Sequence, residues 1–185
     1  MSYLPTFRGL AGLLGALALL TTPALAATDA NAAKPVQEFS DWRLFVDGRG
    51  AAKTCYLAAE PRSSAPANVK RGDTYLVVTH RPGQGVRGEV SVRIGYPFSA
   101  TSIPFANVGS DDFNFITGVK AQNGADEWTW IENLKQQPRL LRAMKRGSEL
   151  VFKGTSARGT LTTDSYSLRG VTAGMKALDA ACPAP

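Results

Sequence analysis

Period-two alternation of apolar and polar residues, broken at short intervals by turn signals, is the feature that most narrows what this chain can fold into. Trp42, Leu44 and Val46 fall on one face of an extended segment, with Arg43 and Phe45 on the other. Residues 74–80 (TYLVVTH) are rich in β-formers. Across residues 89–96, Val90, Val92, Ile94 and Tyr96 take one side, while Glu89, Ser91 and Arg93 take the other. Residues 113–117, 128–131, 150–153 and 161–168 continue the pattern, and 55–59 read as a further strand. Turn signals lie between them at Asp47–Gly48, Pro82–Gly83, Gly109–Ser110 and Asn123–Gly124. Short strands at this spacing predict a mainly β single domain over residues 37–185, an antiparallel sandwich or barrel.

Two segments carry a helical period instead. Residues 138–146 begin with Pro138 near a first turn and stop at Gly147, which suits the C′ position. Leu140, Leu141 and Met144 form the apolar side, and Arg142, Lys145 and Arg146 crowd the C-terminal end, where the helix dipole favours cations. The Arg139–Arg146 stretch could touch an anionic membrane surface, although a solvated cap is the simpler reading. Over residues 171–181, Val171, Met175, Leu178 and Cys182 recur at i, i+4, i+7 and i+11, a single buried stripe.

Cys182 ends that stripe, and Cys55 opens a predicted strand. These are the chain's 2 cysteines, so one intramolecular bridge is expected, pinning the C-terminal helix onto the sheet. A redox pair would favour the short Cys-x-x-Cys spacing, which is absent.

The N-terminus agrees with an oxidising destination. Arg8 supplies an n-region charge, residues 10–20 (LAGLLGALALL) an apolar h-region, and Ala24–Leu25–Ala26 a small-x-small cleavage pattern. About 20 apolar residues are needed to span a bilayer, so residues 1–26 read as a cleaved signal peptide rather than an anchor. Residues 27–36 read as a flexible leader. The expected destination is the periplasm, or the outer membrane or exterior.

The formal net charge is +6, but the bases are scattered and no run resembles a nucleic-acid arm, so nucleic acid is not an expected partner. The charge is compatible with weak attraction to an anionic surface.

Catalytic patterns are thin. One histidine, His80, excludes zinc sites built on two or three histidines. There is no Gly-x-Ser-x-Gly elbow and no Ser-x-x-Lys. No glycine-rich phosphate loop precedes a helix, and no cofactor or metal is expected. Asp111–Asp112 read as turn residues after Gly109–Ser110. Trp128 and Trp130 share a strand face; they could stack on a sugar or an apolar ligand, with core packing the simpler expectation. Residues 153–160 hold two glycines and small polar side chains. They could let a ligand approach the backbone, or simply turn the chain between two strands. His80, Arg81, Lys153 and Arg158 are therefore the candidate ligand-binding residues.

Several motifs in order resemble one known family. They begin with Phe39-Ser40-Asp41-Trp42 and Cys55-Tyr56-Leu57-Ala58, followed by Tyr75-Leu76-Val77-Val78-Thr79-His80-Arg81-Pro82. Glu89-Val90-Ser91-Val92 and Ile94-Gly95-Tyr96-Pro97-Phe98 come next. Met144-Lys145-Arg146-Gly147-Ser148, the stretch from Lys153-Gly154-Thr155 to Arg158-Gly159-Thr160, and Asp164-Ser165-Tyr166-Ser167-Leu168 close the series before the helix ending at Cys182. In this order the chain resembles the invasion-associated locus B family of bacterial envelope proteins. One departure is Val171 after Ser167-Leu168-Arg169-Gly170, where the family usually carries Phe.

The resemblance implies a periplasmic or surface-associated protein. In some relatives the family is linked to host-cell invasion; it brings no established catalytic residues or cofactor. The expected function is non-enzymatic binding or envelope support, with an envelope or host-surface partner. The rival is a ligand-processing hydrolase using His80 with Arg81 or Arg158 as anion clamp.

Overall fold

The structure, a computed structural model, describes residues 34–184. The export signal read from residues 1–26, and the leader as far as residue 33, lie outside the described residues. Alternation produces strands wherever it is sustained. They are β1 (Gln37–Phe39), β2 (Trp42–Asp47), β3 (Thr54–Ala59), β4 (Ser63–Ala65), β5 (Tyr75–Arg81), β6 (Val86–Arg93), β7 (Phe105–Val108), β8 (Asp111–Thr117), β9 (Trp128–Ile131), β10 (Glu149–Thr155) and β11 (Leu161–Ser167). A single turn of helix, α1 (Gly118–Ala121), follows β8; α2 (Gln137–Arg146) follows β9, and α3 (Val171–Ala181) closes the described chain.

The strands form one antiparallel sheet in the order β1-β2-β3-β5-β6-β9-β8-β7-β10-β11-β4. It curls into a half-barrel. Its first strands come back to its last: the Trp42 indole N–H donates to the Ser167 carbonyl at 3.0 Å, and the Asp41 N–H donates to the Arg169 carbonyl at 3.4 Å.

Inside the curl lies one apolar core. Leu57, Leu76, Val78, Val90, Val92 and Ile94 line its first half, and Phe98, Phe113, Phe115, Phe152 and Tyr166 its second. The two longer helices pack against the inner side. Gly174 of α3 sits so close to Leu57 that a Cβ there would lie 2.7 Å from Leu57 Cδ1, and a Cβ at Gly88 of β6 would lie 2.8 Å from Leu141 Cδ1 of α2. Val171, Met175, Leu178 and Cys182 are all buried, as their spacing predicted.

Some expectations change in detail. Gly147 does end α2, yet its φ is −79°. Its need for glycine comes from packing, since a Cβ would lie 2.6 Å from Val108 Cγ1. Asp111 and Asp112 are the first residues of β8 rather than turn residues, because the chain completes its reversal at Gly109, where φ is +62°. Among the described residues no helix is long and apolar enough to cross a membrane.

Candidate functional site

His80 lies on the inner side of β5, directly opposite Cys55 of β3. Cys55 is joined to Cys182 by a disulfide with a Cα–Cα distance of 6.0 Å, so the bridge ties α3 to the sheet beside His80. The imidazole is 4 % exposed. Its Nδ1 accepts the Gly88 backbone N–H at 3.0 Å, which leaves Nε2 as the protonated nitrogen of the neutral ring. Nε2 lies 2.9 Å from Asp179 Oδ1 on α3 and donates to it.

The same carboxylate oxygen receives the Arg87 guanidinium at 2.5 Å. Arg87 also donates to the Cys182 carbonyl at 3.2 Å, and Lys53 donates to the Ala181 carbonyl at 2.6 Å. These carbonyls belong to the end of α3, where backbone acceptors lack helical partners and the dipole favours cations. The cluster therefore caps and positions a helix. Neither nitrogen of His80 is aimed at a Ser, Thr or Cys nucleophile, which acid–base work on such a group would need.

Arg81 follows His80 in the strand and takes the opposite face. One of its nitrogens donates to both Glu89 oxygens, at 2.8 and 2.9 Å, and its Nε to Gln84 at 3.0 Å. Lys153 is on β10, its ammonium 5.7 Å from the centre of the Phe105 ring. Arg158 is exposed at the tip of the β10–β11 hairpin. Four strands separate β5 from β10 in the sheet, so His80 and Arg81 share no cluster with Lys153 and Arg158.

The residues between Lys153 and Thr160 form the hairpin itself. The Ser156 N–H donates to the Thr160 carbonyl at 2.9 Å, and the Gly159 N–H to the Ser156 carbonyl at 2.8 Å. Gly154 lacks a side chain because the Phe98 ring lies against it: a Cβ would be 2.8 Å from Phe98 Cε1. The small residues here serve a turn and a close aromatic contact.

Composition and motif reading missed a buried polar centre at the far end of the curl. Thr162, Asp164 and Tyr166 alternate inward along β11, each 2 % exposed or less. Arg71, from the loop between β4 and β5, makes a two-pronged ion pair with Asp164, the second prong 2.9 Å from Oδ2. Ser64 of β4 donates to Asp164 Oδ1 at 2.7 Å. The Tyr96 hydroxyl meets Thr162 Oγ1 and the Gly154 carbonyl. Among the described residues Tyr166 Oη has no hydrogen-bond partner, and burial, then the Asp164 charge, push its phenol well above the usual tyrosine range. A charged residue at an inward position of a strand was the signal available for Asp164; nothing in the loop sequence singled out Arg71.

A second feature corrects an expectation. On β9 it is Thr129 and Ile131 that enter the core, while Trp128 and Trp130 turn outward and stay half-buried. Cross-strand register puts Trp130 in one outer row with Ser91, Val77, Ala58 and Arg43, and Trp128 in the next with Arg93 and Tyr75. A third row holds Phe45 and Tyr56, stacked with centroids 4.9 Å apart and planes 8° from parallel. Ion pairs Arg43–Glu60, Arg81–Glu89 and Arg93–Glu127 border these rings. Both longer helices pack on the other side of the same strands, so among the described residues no helix covers this face; Ser91, Val77 and Ala58 are buried between the larger side chains.

The match to known proteins falls on the C-terminal part. Residues 131–179 match the family described as Invasion associated locus B (IalB) protein. The likeness covers 49 of the chain's 185 residues. The matched stretch runs from the end of β9 through α2, β10 and β11 to Asp179. It includes the Asp164–Tyr166 strand and Gly170, whose φ of +94° and contact with the Phe39 carbonyl exclude a side chain. Neither a curated protein nor a solved structure matches the chain.

Proposed function

We propose that this IalB-like chain is an exported envelope domain that binds a partner and carries out no chemistry on it. The observation that carries this reading is the aromatic outer face, where the part-exposed rings of Phe45, Tyr56, Tyr75, Trp128 and Trp130 sit among three Arg–Glu pairs. Trp128 and Trp130 cover their cross-strand neighbours Arg93 and Ser91 and still keep part of each ring at the surface. Aromatic rings bordered by guanidinium and carboxylate groups fit the ring faces and hydroxyls of a glycan. Trp42 supplies the contrast: it is fully buried with its N–H bonded, and serves the core.

Export is supported by residues 1–26 read as a signal peptide and by a disulfide, which persists in oxidising compartments. The hydrolase reading has no comparable support, since both His80 nitrogens are engaged in holding α3 and Gly88.

The test combines fractionation with crosslinking and pull-down from the native envelope, using wild type and a Trp128→Ala/Trp130→Ala variant. The expected result is recovery of the wild type from the envelope fraction, a crosslinked glycan or glycan-bearing partner, and loss of that partner in a variant whose Tm is unchanged. An unaltered partner profile in the variant sinks the outer-face reading. His80→Ala is expected to lower the Tm; loss of a hydrolytic activity at unchanged Tm would restore the enzyme.

A further inference from the structure

The helical layer carries nearly all of the protein's charge imbalance. The 3₁₀ turn Leu134–Gln136, α2 and α3 together hold six bases (Lys135, Arg139, Arg142, Lys145, Arg146 and Lys176) and one acid, Asp179. Six bases against one acid leave +5 of the chain's +6, and the rest of the sequence taken together sums to +1.

The two helices lie side by side and antiparallel. At one end Arg87 links them, accepting the Gln137 side-chain amide at its carbonyl (3.2 Å) and pairing with Asp179 through its guanidinium. At the other, Thr172 Oγ1 donates to the Lys145 carbonyl at 3.3 Å. Arg142 and Lys176 therefore fall in the middle of the layer, with Lys145 beside them. All three are exposed, and among the described residues neither they nor Lys135 make an ion pair. Arg139 and Arg146 are partly neutralised by Asp111, at 3.2 and 3.9 Å. Leu134, 70 % exposed, stands one turn before α2 at the rim of this layer.

We infer that the α2–α3 layer is a docking surface for an anionic phospholipid membrane. Long basic side chains on a two-helix layer, with an exposed leucine at its edge, are the parts that hold a protein on a charged lipid surface: headgroups take the cations, and the apolar side chain enters the interface. The cations are spread over two helices rather than lining a groove, which suits a lipid plane better than a single polymer strand. Docking this way leaves the aromatic sheet face pointing away from the membrane, because the helices and those rings occupy opposite sides of the same strands. The inference does not depend on what the aromatic face binds.

The experiment is vesicle flotation of the chain lacking residues 1–26, with phosphatidylcholine vesicles and with vesicles also containing phosphatidylglycerol. Binding is expected only to the anionic vesicles, falling steeply between about 0.05 M and about 0.3 M salt as the Debye length shrinks. Arg142→Gln/Lys145→Gln/Lys176→Gln should lower the bound fraction at least about tenfold with little change in Tm, since among the described residues these side chains make no ion pair and the neutral replacements place no acid at the end of α2. Leu134→Ser should weaken binding while leaving its salt dependence in place. Equal binding to neutral vesicles, undiminished binding of the triple variant, or binding to soluble polyphosphate without binding to vesicles would each overturn the inference.

Discussion

Two polar clasps fasten the curled sheet, one at its last strands and one at its interior strands β5 and β6, and they differ in how wet they are. The Arg71–Asp164–Ser64 clasp ties β4 and the loop after it to β11; Asp164 is fully buried and the Arg71 side chain 10 % exposed. The His80–Asp179–Arg87 clasp ties α3 to β5 and β6; its carboxylate is 49 % exposed and its guanidinium 44 %. The wet clasp sits next to the Cys55–Cys182 bridge, while the dry one has no covalent support. In low dielectric a paired charge is costly to abandon, because removing one partner leaves the other without compensation. At half exposure water replaces most of what a lost partner supplied. So the dry clasp stabilises through its completeness, and the wet one needs the disulfide.

The largest expected effect comes from cutting that disulfide. Cys55→Ser/Cys182→Ser opens a loop of 127 residues, which chain entropy alone puts at about 5 kcal/mol. Denaturant unfolding should show that loss, and reductant should bring wild type down to the variant. Asp164→Ala comes next, at about 3–5 kcal/mol, because it strands the Arg71 guanidinium in the interior. Adding Arg71→Met to Asp164→Ala should recover part of the loss. If the double variant is no more stable than the single, the cost lay in packing and the contrast between the clasps is misdrawn.

Asp179→Ala tests the wet side. With the disulfide intact it should cost less than about 1 kcal/mol. A loss as large as that of Asp164→Ala would mean that burial of His80, and not exposure of its partner, sets the strength of that clasp.

What was legible in the sequence follows the range over which each signal acts. Trp128–Ile131 and Val171–Ala181 coincide with their predicted elements because period and caps are local. β1, β4 and β7 escaped notice: at three or four residues they carry few alternations, and unlike β9 with Trp128 and Trp130 none places two large aromatic residues on one face. The Cys55–Cys182 pairing was readable because only one intramolecular pairing exists for two cysteines. Arg71 was not, because its role depends on a loop crossing to a strand 93 residues away. The tryptophans show the limit of composition: alternation placed Trp128 and Trp130 on one face, but which face meets the core is decided by the strands on either side. Likewise His80 and Arg158 read as site residues by chemical type, and only the fold reveals that four strands intervene.

The smallest expected effect lies at the seam where β1–β2 meets β11. Asp41 there has a carboxyl held below its ordinary value of 3.8 by the neighbouring Ser167 hydroxyl first of all, with burial opposing and the Arg62 guanidinium adding to the lowering. Arg62 is 2.8 Å away, and the pair is largely in water, with side chains 57 % and 30 % exposed. A carboxyl whose folded pKa is depressed contributes stability above its unfolded pKa, and that contribution disappears as pH falls through the folded value. Wild type should therefore hold a small advantage in Tm over Asp41→Asn near neutrality, shrinking below about pH 4 and gone once Asp41 is protonated in the folded state. Tm measured for both proteins from about pH 6 to about pH 2 checks this. An advantage that persists unchanged to the acid end would mean that Asp41 acts through its hydrogen-bonding shape alone. This seam would then resemble the dry clasp more than its exposure suggests.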